Sequence, residues 1–295
     1  MIDLHLHTTA SDGRSTPEQL VRRLVEAGIR TCAITDHDTT AGLARARTAA
    51  ASTPLTVIAG IEITAVHAGA DVHMLGYFFD TDHTELAGFL VAQRADRVRR
   101  ALEILDRLDA LGAVVPRDSI LKLATEPTGR ALGRPAVAKL LVAHGHAKSI
   151  GDAFDRLLGT GRPAFVPRRG IDPGEVIALV GRAGGLVSFA HPGKVGHDEL
   201  LPALAARGLG AIEVFHPDHD ADAVTRYLDM ARELGVGVSG GSDYHGPGSG
   251  RAEMVGTVTL PETHFEDLIR RSRGLKPPGS IEQWRRGSSD PRSES

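Results

Sequence analysis

Ile2, Leu4 and Leu6 alternate with Asp3, His5 and His7, the period of two that marks a half-buried strand over residues 2–6. A polar stretch follows, and Ser15-Thr16-Pro17-Glu18-Gln19 then opens a helix, with Thr16 as cap, Pro17 in the first helical position and Gln19 closing a capping box. Gly28 ends that helix. Residues 31–35 form a short apolar run, residues 40–51 a helix, and residues 55–62 a β-branched run that ends on Gly60-Ile61-Glu62. Residues 72–78 supply a further strand. After a long interruption the same beat resumes in strands at 185–190, 211–215 and 236–240, with helical segments between them. Strand alternating with helix predicts a parallel sheet, and about seven such units predict a closed or nearly closed α/β barrel, with an open doubly wound sheet as the alternative.

The interruption, residues 88–167, carries helical periodicity at 91–111, 134–144 and 149–158, each stretch ended by Gly or Pro, and reads as a small helical insert. The expected organisation is therefore a discontinuous barrel, 1–87 and 168–275, with the insert between its halves. Residues 276–295 are rich in Ser, Arg and Pro and read as a disordered tail. No run approaches membrane-spanning length and no basic leader precedes the first strand, so a cytoplasmic setting is expected, with no membrane and no obligate protein partner.

Composition changes this picture in two places. Cys32 is the single cysteine while histidines number 14, so a metal site would have to be built from imidazole and carboxylate rather than thiolate. The net charge of −3 also hides an asymmetry: residues 94–169 hold fifteen Arg or Lys against eight Asp or Glu. Solvated helix faces could account for this. A basic segment facing bound cations would instead attract an anionic substrate. Aromatic residues make up only 4% of the chain, which argues against an extended base-stacking surface and against stable binding of duplex nucleic acid.

The candidate chemistry lies at strand ends. His5 and His7, two apart on one strand, project from one face while Leu4 and Leu6 fill the other. A lone His-x-His is commonly just a hydrogen-bonded pair. Here the pattern repeats: Asp12 lies in the loop after strand one, Asp36-His37-Asp38 ends strand two, Glu62 ends strand three, His73 lies on strand four, His191 ends strand five, and Asp243 and His245 follow strand seven. Loops at one end of a parallel barrel are where such sites assemble. So many imidazoles and carboxylates in one cavity need cations to compensate them, and nine exceed what one tetrahedral ion uses. Two or three divalent ions are expected, with Mn, Zn and Fe all compatible with nitrogen and oxygen donors and Glu62 as the bridge.

His5-Leu6-His7, Asp12-Gly13, Thr35-Asp36-His37-Asp38, Gly60-Ile61-Glu62, His73-x-Leu75-Gly76, Ala190-His191-Pro192 and Ser242-Asp243-x-His245 together resemble the polymerase-and-histidinol-phosphatase (PHP) family. Within it, the chain is most similar to stand-alone bacterial members acting on nucleoside 3′,5′-bisphosphates and short 5′-phosphorylated RNA. The resemblance implies a distorted seven-stranded (β/α)7 TIM-like barrel and three metals. One would be bound by His5, His7, Glu62 and Asp243, a second by Glu62, His73 and His191, and a third by Asp12, His37 and His245. It makes Asp36 and Asp38 supports for imidazoles, His191 and Asp243 catalytic, and Arg134, in Gly133-Arg134-Pro135, a phosphate contact. His219 would touch the scissile phosphate or protonate the leaving oxygen. His67, His83, His144, His146, His197 and His264 fall outside the pattern, and solvation alone would explain Lys194. The expected activity is metal-dependent hydrolysis of phosphate esters on a small nucleotide or short RNA. A histidinol-phosphate phosphatase, a metal-dependent amidohydrolase and a non-catalytic module binding RNA or a polymerase remain as alternatives.

Overall fold

The computed structural model describes residues 1–125, 132–251 and 254–274, so the stretch expected to be a tail at 276–295 lies outside the described residues. Seven strands lie in chain order in one sheet: β1 (Ile2–Asp3), β2 (Thr31–Ile34), β3 (Thr56–His67), β4 (Ala70–Tyr77), β5 (Leu186–Phe189), β6 (Ala211–Phe215) and β7 (Gly237–Gly240). The chain beyond β1 stays extended and closes the sheet against the far edge. Leu4 N donates to Gly240 O, His7 N donates to Tyr244 O, and Leu6 pairs in parallel with Tyr244. The two ends meet so closely that a Cβ on Gly241 would lie 2.3 Å from the His5 nitrogen. The result is the expected nearly closed α/β barrel.

One part of the topology departs from an all-parallel sheet. β4 runs antiparallel to both β3 and β5. The reason is local: only Ala68 and Gly69 separate β3 from β4, at φ of 49° and 82°, the left-handed pair of a tight hairpin. Two residues cannot carry a crossover helix, which a parallel connection needs. The hairpin also lengthens β3 beyond Glu62 to His67, which places Glu62 inside a strand rather than at its end.

Helices α1 (Pro17–Glu26), α2 (Ala41–Ala50), α7 (Pro173–Arg182), α10 (Ala221–Glu233) and α11 (Glu262–Gly274) surround the barrel, with the short α8 (Pro192–Val195) and α9 (Leu201–Ala206) beside β5 and β6. The α1 cap forms as its sequence dictates: Gln19 N donates to the Thr16 side chain while Gln19 Oε1 accepts from Thr16 N. Between β4 and α7 stand α3 (Thr84–Ala110), α4 (Arg117–Thr125), α5 (Arg134–Ala143), α6 (Ile150–Ala153) and a π-turn at Phe154–Leu158. The 27-residue α3 joins two cores. Leu86 and Leu90 pack into the barrel core, whereas Ala101, Ile104, Leu105 and Leu108 join Ile120, Val137, Leu141, Leu158 and Val166 in a separate apolar cluster. Each buried Leu, Ile or Val there contributes about 1.5–3 kcal/mol, so the helical segment has a core of its own, resting on the barrel mouth.

Candidate metal centre

His5 and His7 are fully buried, and their Nε2 atoms come within 3.1 Å of each other. Glu62 Oε2 lies 3.4 Å from the first and 3.2 Å from the second, and Asp243 Oδ1 lies 3.3 and 3.2 Å from them. The two carboxylate oxygens thus flank the pair of imidazole nitrogens, and His5, His7 and Asp243 lie close enough to share one ion. Tetrahedral ligands on bonds of about 2.0–2.1 Å are separated by about 3.3 Å, which these distances match.

Glu62 turns its second oxygen the other way. Oε1 lies 2.8 Å from His73 Nδ1 and 3.3 Å from His191 Nε2, while Oε2 also approaches His37 Nδ1 at 3.2 Å. The β3–β4 hairpin sets this up, since Glu62 and Thr64 face the site while Ile61 and Ile63 are buried on the opposite face. A third group gathers around Asp12, whose Oδ2 lies 3.4 Å from His245 Nε2 and 3.8 Å from His37 Nε2, with His7 Nδ1 3.7 Å from Oδ1. All nine sequence-derived positions therefore meet in one cluster of three overlapping groups.

The cluster suits divalent cations on three observations. Nδ1 of His7 and of His191 is buried without a hydrogen-bond partner, and Nδ1 of His37 meets Glu62 Oε2 without hydrogen-bond alignment. Burial pushes His37 down to about 3 and His191 to about 4, which keeps both imidazoles neutral with a lone pair to give. Burial would also lower His7, yet Asp243 and Glu62 push it up to about 10, and despite their own burial Glu62, Asp243 and Asp12 are held well below the carboxylate range by the imidazoles. In this pocket the imidazoles supply the positive charge that stabilises the carboxylates, a charge that bound cations would supply in their place.

The surrounding residues differ from expectation. Asp36 accepts from Thr8 N, Thr8 Oγ1 and Ser11 Oγ, and Asp38 accepts from Thr64 N and Arg97, so both organise the loops rather than hold an imidazole. The residue that does so is Glu213 on β6, which the sequence reading missed. Its Oε1 lies 2.8 Å from His5 Nδ1 and its Oε2 accepts from His191 N. His5, Glu213 and His216 form a further compact group, and His216 Nε2 lies 3.4 Å from Asp243 Oδ2. His219 does not reach the cavity. Nδ1 donates to Val214 O at 2.8 Å, Nε2 accepts from Gly193 N at 3.1 Å, and the residue is 9% exposed, so neither nitrogen is available to a leaving oxygen. Three residues at the rim, Asp38, His191 and Asp243, adopt positive φ, and such backbone strain concentrates at functional sites.

A cavity of about 260 Å³ opens over the cluster. The barrel lines it with Asp12, His37, Glu62, His73, His191 and Asp243. The helical segment and its exit line it with Arg97, Arg100, Arg134, Lys139, Arg168 and Phe154, and Lys194 also borders it. Among the described residues, four guanidiniums, Arg97, Arg100, Arg134 and Arg168, face two carboxylates on this wall, Asp38 and Asp71. Burial and the neighbouring arginines push Arg100 down to about 10, a sign of crowded positive charge.

Comparison with known proteins agrees with this geometry. The PHP domain family model matches residues 3–125. The chain is 34% identical to the 5′-3′ exoribonuclease Rnm of Escherichia coli, over 83% of this chain and 85% of the relative. It is 31% identical to the 3′,5′-nucleoside bisphosphate phosphatase of Chromobacterium violaceum, over 88% and 92%. Its identity to the phosphoribosyl 1,2-cyclic phosphate 1,2-diphosphodiesterase of Eggerthella lenta is 34%, over 86% and 97%. Among solved structures, one from Bifidobacterium adolescentis assigned to the metal-dependent phosphoesterases superposes with a TM-score of 0.82 at 33% identity, covering 92% of this chain and 96% of that one. A Chromobacterium violaceum chain described as an amidohydrolase, with bound sulfate and no metal, gives 0.79 at 30% identity and the same coverage. With the metal-type cluster, the barrel and these relatives in agreement, the chain belongs to the PHP domain family of metal-dependent phosphoesterases.

Proposed function

We propose that the chain hydrolyses phosphate esters of small nucleotides, nucleoside 3′,5′-bisphosphates and short 5′-phosphorylated RNA, within a cytoplasmic setting. The observation that carries this reading is a single cavity lined by both a carboxylate-imidazole cluster and an excess of guanidinium groups. The first suits cations on a scissile phosphate and the second suits another phosphate of the same molecule. Bound sulfate in the Chromobacterium violaceum relative supports an anion site, and two relatives named for RNA and bisphosphate substrates support the substrate class.

In this reading His5, His7, Glu62 and Asp243 hold one divalent ion, Glu62, His73 and His191 a second, and Asp12, His37 and His245 a third, with Mn, Zn or Fe in these places. Such ions supply Lewis-acid polarisation of the phosphoryl group and a water of lowered pKa. The protein's own residues do the rest. Glu213 fixes the His5 ring and the His191 backbone, and low-pKa His37 and His191 stay neutral at working pH. Arg134, Arg100, Arg168 and Lys139 neutralise and orient the substrate's phosphates, and the described helices α3 and α5 border the cavity on that side. A cavity this narrow favours a flexible single strand or a nucleotide over a duplex.

The test is incubation of manganese- or zinc-loaded protein with adenosine 3′,5′-bisphosphate and short 5′-phosphorylated RNA. Release of phosphate or mononucleotide is expected. No release with either metal overturns the proposal, and release of ammonia from an amide panel would put the amidohydrolase reading in its place.

A further inference from the structure

We infer that Phe154 is the platform on which the substrate's nucleobase stacks, and that the site accepts any base. This rests on the reading of the substrate as a nucleotide. Among the described residues, Phe154 is the only Phe, Tyr or Trp lining the cavity, in a chain whose aromatic content is 4%. The remaining lining groups are charged, small or imidazole, suited to phosphate and cations. A nucleotide needs one apolar face, and one is present.

The ring is held in place rather than left to swing. Phe154 is half-buried, its inner side packed on the apolar cluster formed by α3, α5 and the π-turn. It opens that π-turn, where its carbonyl accepts from Gly159 N at 2.8 Å, and single π-turns recur at functional sites. The Arg134 guanidinium carbon lies over the Phe154 ring at 5.9 Å from its centre, and over the Phe165 ring at 5.4 Å. The platform thus neighbours a phosphate-seeking guanidinium at a distance comparable with the span of one ribose between a phosphate and its base. A single ring also fits one base and no more, in keeping with a mononucleotide or a strand end.

Base tolerance follows from the stacking itself, with the forked Arg97, Arg134 and Arg168 turned to carboxylates rather than to a base edge. Bases are read along their edges by amides and by forked pairs, and Asn and Gln are the side chains that read adenine in this way. The chain contains no asparagine, and no glutamine lines the cavity among the described residues. Stacking without edge contacts is sequence-tolerant because every base has a π-face.

The test compares wild type, Phe154→Ala and Phe154→Trp as metal-loaded enzymes. Removing the ring should raise KM for adenosine 3′,5′-bisphosphate by about 5- to 150-fold, the loss typical of one stacked base, while Phe154→Trp restores it. The loss should be confined to substrates with a base, with ribose 3,5-bisphosphate as the comparison. Adenine, guanine, cytosine and uracil bisphosphates should differ by less than about tenfold in wild-type kcat/KM. Equal losses with and without a base, or an unchanged KM, would overturn the inference. If the wild type turns over no nucleotide, the proposed function fails by itself. Calorimetric binding of adenosine 5′-monophosphate then decides the platform: weakened binding in Phe154→Ala sustains it and unchanged or absent binding ends it.

Discussion

Arg97 Nε donates to Asp38 Oδ2 at 2.7 Å, and Arg97 Nη2 donates to the same oxygen, joining α3 of the insert to the loop that follows β2 of the barrel. The other carboxylate oxygen accepts from Thr64 N on β3 at 2.9 Å, and Arg97 Nη1 donates to Leu132 O. Asp38 directly follows His37, so the contact that seats the insert also fixes the backbone of one imidazole in the cluster. Packing, electrostatics and site geometry meet in this pair.

Both partners are buried, which makes the loss of either one severe. Asp38→Asn leaves the Arg97 charge without a counterion, and destabilisation of about 3–5 kcal/mol is expected. Urea unfolding should show the drop in midpoint. The double variant Asp38→Asn with Arg97→Met should recover part of it, because the Arg97 charge leaves with its counterion while Arg168 keeps Asp71.

Glu213 tests the support around the cluster. Its two oxygens are matched to two donors, the His5 ring and the His191 backbone. In Glu213→Gln the amide nitrogen must face one of those donors, so the His5 ring loses its fixed orientation. Metal affinity should fall about 10- to 100-fold, measured by competition with a chromophoric chelator, while the far-UV circular dichroism stays that of the wild type. Unchanged affinity would remove Glu213 from the site.

The legibility of the site follows from where each residue sits. His5 and His7 were legible from a period of two on an apolar strand, and the remaining seven from their recurrence near strand ends. Glu213 was not, because between Ile212 and Val214 it has the alternation of any solvent-facing polar residue, and only barrel closure turns that face inward. The direction of β4 was equally hidden. Ala68-Gly69 looks like a generic turn, and it is the positive φ of Ala68, an unusual state for alanine, that makes the hairpin. The Asp38–Arg97 pair lies 59 positions apart in sequence, beyond any local pattern. His219 stood out through the local run His216-Pro217-Asp218-His219, and the backbone partners that occupy both its nitrogens could not be read there.

That placement of His219 predicts a structural phenotype. His219→Ala leaves Gly193 N without its acceptor, so a stability loss of about 1–3 kcal/mol is expected, with kcat reduced by less than about tenfold. Asp243→Ala should instead abolish turnover. Gly193→Ala should reproduce the His219 effect, since a Cβ there would stand 2.8 Å from the His219 ring. Equal losses of kcat in His219→Ala and Asp243→Ala would restore a direct role in the reaction.

Removal of metal should be felt throughout the fold, because the cluster closes the barrel. His5 and His7 follow β1, Glu62 lies on β3, His73 on β4 and Asp243 beyond β7, so a bound ion ties both sides of the seam where Leu6 meets Tyr244. A ligand that binds only the folded state at 100 times its Kd stabilises by about 2.7 kcal/mol. For a chain of this size that corresponds to about 4–5 °C in Tm. Thermal melts after chelation should drop by that amount, recover on return of manganese or zinc, and rise with the logarithm of metal concentration. A Tm indifferent to chelation in protein shown to have carried metal would mean that these carboxylates and imidazoles are held together by protons and packing alone.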